Sequence, residues 1–110
     1  ASRGCAGDPA DDATCMALNY VFFALEHPPA WKATLGPLWH RFWRTYLAAR
    51  PDPALFEVAP PFIAWRGLVM ACPRFYPDLS PGARNRLLGF VELTLERGRL
   101  DLEAADRLFA

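Results

Sequence analysis

No stretch of this chain alternates β-branched and polar residues, so nothing in it reads as a β-strand. The three cysteines, Cys5, Cys15 and Cys72, are odd in number and include no C-x-x-C pair, which excludes a disulfide framework or a cysteine zinc site. Free thiols in a reducing, cytoplasmic compartment are the expectation. His27 and His40 have no neighbouring His or Cys at ligand spacing, so no metal site is expected of them. A Walker loop, G-x-G-x-x-G, H-E-x-x-H and the nucleophile elbow are all missing. The main apolar run, Ala13 to Leu25, is too short to cross a bilayer, and Asn19 interrupts it. Twelve basic residues balance twelve acidic ones, which leaves no overall footprint for nucleic acid or an anionic membrane. One local absence stands out. From Gly4 through Trp31 there is no Lys or Arg, while Asp8, Asp11, Asp12 and Glu26 all fall in that span.

What is present is helical. The 110 residues are 53% hydrophobic and 14% aromatic, a globular composition of one domain or less. Gly7, the N-cap candidate Asp8 and Pro9 at the first helical position announce a helix from Pro9 to Glu26, ended by His27-Pro28-Pro29. Ala30 to Ala49 is a second, with Leu35, Leu38, Trp39, Phe42, Trp43, Tyr46 and Leu47 on one face and Gly36-Pro37 as a kink or restart. A short piece at Ala54 to Val58 precedes a third main helix from Pro60-Pro61 to Ala71. Residues 73–79 read as an aromatic-rich loop packed on the bundle. Ser80-Pro81 opens a fourth main helix that stops at Gly98, and Asp101 caps a last short one, Leu102 to Phe109. The fold class is therefore all-α, a bundle of about four main helices plus a short C-terminal one. Trp31, Trp39, Trp43 and Trp65 are expected in its core.

The residues that invite a functional reading lie on the first helix. Asp12, Asn19 and Glu26 are one heptad apart, so they share one side, drifting by only roughly 20° per heptad. A greasy helix with one polar seam faces something polar, and a carboxylate within it needs donors. Arg66, inside the apolar third helix, is the cation to weigh against that seam.

The string Gly7-Asp8-Pro9-Ala10-Asp11-Asp12, followed by Ala17-Leu18-Asn19-Tyr20 and Phe22-Phe23-Ala24-Leu25, resembles the aminoglycoside phosphotransferase family of protein-kinase-like small-molecule kinases. Pro61-Phe62-Ile63-Ala64-Trp65-Arg66 and Pro73-Arg74-Phe75-Tyr76-Pro77 look like the later helix and loop of that family's C-terminal helical part, so the resemblance covers nearly the whole chain. The glycine at Gly4-Cys5 departs from the pattern by one place. The resemblance implies transfer of the ATP γ-phosphoryl group to a hydroxyl of a small molecule, with ATP and Mg2+ as the parent's cofactors. It places the ATP-binding lobe, the His-x-Asp catalytic loop and the magnesium Asp upstream of Ala1, in an N-terminal portion that would be this segment's partner. The chain alone is then expected to bind no cofactor and to be inactive. To Asp12 it assigns the support of the catalytic loop, through acceptance of backbone N–H bonds. Asn19, Glu26 and Arg66 become substrate-side candidates, and an acidic seam would suit a cationic substrate such as an amino sugar. Two other readings stand beside it. One is a self-contained helical interaction module without catalytic activity. The other is a pocket for an apolar ligand lined by Trp39, Trp43 and Trp65.

Overall fold

The structure, a computed structural model, describes residues 9–52 and 54–109. Those residues form six α-helices and no strand, in a body of 36 × 30 × 25 Å. The helices are α1 (Pro9–Leu25), α2 (Gly36–Ala49), α3 (Leu55–Val58), α4 (Pro60–Ala71), α5 (Pro81–Arg97) and α6 (Leu102–Leu108). The Gly7–Asp8 cap and Cys5 lie outside the described residues.

α1 runs through the middle, packed on α2, α4 and α5. Its inner face is mostly small: Ala10, Ala13, Thr14, Ala17 and Ala24 are buried with Leu18, Val21 and Leu25. Such residues let neighbouring helices approach closely, and Thr14 hides its hydroxyl by donating to the Ala10 carbonyl at 2.7 Å. The sequence reads this helix as apolar all round and so enclosed. The structure leaves one side open, because Met16 and Phe23 are each 61% exposed.

α2 is entered through a π-helical turn, Trp31–Leu35. Pro37 has no N–H to continue an α-helical ladder. The wider turn closes instead with the Gly36 N–H donating to the Trp31 carbonyl. A Cβ on Gly36 would sit 2.8 Å from both that oxygen and the Trp31 indole nitrogen, so only glycine fits. The kink expected at Gly36-Pro37 is thus a local widening of the helix.

α4 and α5 share the most extensive helix contact, and they meet where Gly67 faces Val91. Ser80 caps α5 by accepting from the Ala83 N–H, and Gly98 ends it at φ 69° in the left-handed region. Arg84 staples the 72–80 loop from inside. Its guanidinium donates to the carbonyls of Ala71 (2.7 Å), Tyr76 (2.9 Å) and Leu79 (3.2 Å). α6 crosses back over α5 and α2, held by the Trp39 indole donating to the Leu102 carbonyl and by Trp31 stacked on Phe109.

The aromatic core differs from expectation at one place. Trp31, Trp39 and Trp43 are buried and run ring against ring to Phe56. Trp65 is 70% exposed. The buried stripe of α4 runs through Ile63, Gly67 and Met70, and two residues past Ile63 is the far side of a helix with 3.6 residues per turn. The apolar pocket between Trp39, Trp43 and Trp65 therefore does not form. Two of its walls are sealed and the third faces solvent.

Candidate functional site

Asp12, Met16, Asn19, Phe23 and Glu26 follow one another along the open side of α1, as the heptad spacing implies. Asp12 is exposed and makes no side-chain hydrogen bond or ion pair among the described residues. The carboxylate read from the sequence as set in an apolar helix body is thus a solvated one. Asn19 is half-buried, with Cys15 beside it on the inner margin of the stripe.

Glu26 lies just past the last turn of α1 and is engaged. Its Oε1 accepts from the Ser80 hydroxyl at 2.8 Å and from the Ser80 N–H at 3.1 Å. Those two bonds, the hydroxyl's first, hold the Glu26 carboxyl below its ordinary value against a small opposing effect of desolvation. One carboxylate therefore ties the end of α1 to the start of α5.

Arg66 sits half-buried on α4, the helix alongside α1. Its Nε is buried with no hydrogen-bond partner. Neither Asp12 nor Glu26 pairs with it among the described residues. The four residues singled out in the sequence thus form no single polar cluster among the described residues.

The seam ends in a hollow of about 340 Å3 between the end of α1 and the 72–80 loop. Phe22, Phe23, Glu26, Phe75, Tyr76 and Asp78 line it. Tyr76 packs edge-on against Phe22 with ring centroids 5.0 Å apart, which fixes the loop. Phe75 faces outward, 62% exposed. Two carboxylates beside two open aromatic faces suit an organic cation, through charge attraction and cation–π contact. Sequence reasoning picked out Glu26 and missed Phe75 and Asp78 as its neighbours. The aromatic-rich loop was the available signal, since a loop with more rings than its packing needs has some left to present.

Among the described residues no group of three or more His, Cys, Asp or Glu could hold a metal ion. No described helix is long and apolar enough to cross a membrane. No family model, curated protein or solved structure matches the chain.

Proposed function

We propose that this chain is the substrate-side helical region of an ATP-dependent small-molecule phosphotransferase, similar to the aminoglycoside phosphotransferases. The observation that carries the reading is the open side of α1, which leads from the uncommitted Asp12 carboxylate to the Glu26–Asp78 hollow walled by Phe23 and Phe75. Engaged by no side-chain bond among the described residues, Asp12 would accept N–H bonds from a catalytic loop supplied by preceding polypeptide. The hollow would hold the cationic part of an amino-sugar acceptor. Asn19 lies between the two, and Arg66 is carried by α4, the helix packed on α1. ATP, Mg2+ and the catalytic Asp would belong to that preceding portion, so the chain alone transfers no phosphate. The thiols Cys15 and Cys72, both unpaired, suit a cytoplasmic setting.

Two measurements test this. The reading frame upstream of Ala1 should encode a His-x-Asp and a later Asp. An in-frame stop, or a long frame with neither, sinks the phosphotransferase assignment. Separately, NMR titration with a polycationic aminocyclitol should move the resonances of Phe23, Glu26, Phe75 and Asp78, whereas a neutral sugar of the same size should not. Glu26→Gln and Asp78→Asn should each weaken that binding about two- to fivefold, the worth of a solvent-exposed charge contact. Equal response to both sugars would remove the substrate hollow.

One feature favours the helical interaction module instead. Trp39 and Trp43 are sealed by this chain alone, so the aromatic part of the core needs no added polypeptide. A cooperative, monomeric chain whose frame holds no kinase residues would select that reading.

A further inference from the structure

The balanced total charge hides a segregation. Between His27 and Pro51 there is no acid, while Lys32, Arg41, Arg44 and Arg50 supply four positive charges. Arg41 and Arg44 are exposed on α2 and form no ion pair among the described residues. Arg41 borders a groove floored by Leu38, Phe42 and Tyr46. α5 presents the opposite face. Its three arginines are committed elsewhere: Arg84 to the loop carbonyls, Arg86 to the Leu25 carbonyl at 2.9 Å, and Arg97 to Asp101 at 2.6 Å. Glu92 and Glu96 are left exposed in a shallow groove with Leu68, Leu88 and Leu95, and no base lines it. Two acids four residues apart repel along a helix until a cation comes between them. α2 and α5 share no extensive contact, and no ion pair among the described residues joins Arg41 or Arg44 to Glu92 or Glu96, so the two faces do not neutralise one another within a molecule.

We propose that they bind one another between molecules, with the basic groove of α2 on one copy seated on the acidic, leucine-lined groove of α4 and α5 on the next. The occupant is a second copy, because each face carries the charge that the other lacks beside an apolar patch of its own. Like faces are excluded as partners. Like against like would set Arg41 and Arg44 against themselves, or Glu92 and Glu96 against themselves. The contact therefore joins unlike faces, either twice over in a two-fold pair or head to tail in a chain that can propagate. A net charge of zero removes the long-range repulsion that would keep copies apart.

Sedimentation velocity on the full chain is the test. At low salt the weight-average mass should exceed 12.3 kDa and climb with concentration. In about 0.5 M sodium chloride, where the Debye length is only a few ångströms, it should fall back towards the monomer. The exposed double variants Arg41→Glu/Arg44→Glu and Glu92→Lys/Glu96→Lys should each sediment as monomers. Mixed together they should associate again, because the first variant is acidic on both faces and the second is basic on both. That rescue also shows that both variants are folded. A chain that stays monomeric at low salt overturns the proposal and leaves the acidic groove to a different partner. Self-association that neither reversal disturbs, or a mixture that forms no complex, overturns it equally.

Discussion

Gly67 is the residue on which the α4–α5 contact turns. A Cβ there would lie 2.4 Å from the Val91 Cγ2, nearer than atoms can stand, so the helices must part or Val91 must move. Gly67→Ala should cost about 1–3 kcal/mol, the usual penalty for overpacking a core. In a thermal melt that is a drop of at least several degrees. Adding Val91→Ala should return part of the loss, so the double variant is less destabilised than the sum of the singles. Two carboxylates make the fold sensitive to acid. Burial raises the Asp101 carboxyl, but it is outweighed by hydrogen bonds from the Arg107 guanidinium and the Glu103 N–H and by the charges of Arg107 and Arg97. The net effect holds Asp101 below its ordinary value, as the Ser80 bonds hold Glu26. Groups lowered on folding stabilise the fold above their unfolded values and lose that contribution as pH falls through the folded ones. Urea midpoints should therefore hold from pH 7 down to the ordinary carboxylate range and decline below it. Asp101→Asn should lower the neutral midpoint and flatten that decline. The Glu26 interaction was not legible in the sequence, since Ser80 lies 54 residues away and either residue alone reads as an ordinary helix-end group.

At the scale of the element, α6 is a short helix held by a few polar points. Asp106 is the chief one. Its Oδ1 accepts from the Trp31 indole at 2.9 Å, and its Oδ2 lies 2.7 Å from His40 Nε2. Asp106→Ala strips both partners of their acceptor, at a cost of about 1–3 kcal/mol for the more buried of them. Amide exchange should accelerate across Leu102–Leu108 while α1, α4 and α5 keep their protection, because α6 rests lightly on the bundle. Uniform acceleration would mean that α6 is integral to the core. Most helix limits could be read in advance, since prolines and caps act locally: Ser80, Pro81, Gly98 and Asp101 all do what their residue types dictate. The π turn could not be read. Gly36-Pro37 signals a break, but the form of the break depends on the Trp31 ring packed against Gly36. Trp65 escaped for a related reason. α4 is apolar on most sides, so its sequence does not say which side faces inward.

For the molecule as a whole, the helix order α2–α1–α4–α5 with α6 across two of them rests on where small residues permit approach, chiefly the alanines of α1 and Gly67. Periodicity names a face and leaves its mate unnamed, so all-α was legible and the pairing was not. The candidate site divides in the same way. The α1 stripe follows from spacing along one helix, whereas Phe75 and Asp78 reach the hollow only through tertiary folding. The Cα radius of gyration, 13.6 Å, is close to the value of about 13 Å expected for a compact chain of this length. Far-UV circular dichroism and calorimetry should then report one coincident unfolding transition. Two separated transitions would mean that α6 or the 72–80 loop is an independent unit.

The placement of the indoles equips the protein with its own optical gauge. Trp39 and Trp43 are shut away from solvent while Trp65 stands in it. Iodide should extinguish the red-shifted part of the emission first and leave a blue, shielded remainder. Anything that settles over α4 will be seen as lost quenching of Trp65, whereas unfolding will be seen in the enclosed rings, Trp31 among them, so one spectrum separates contact at the surface from collapse of the interior.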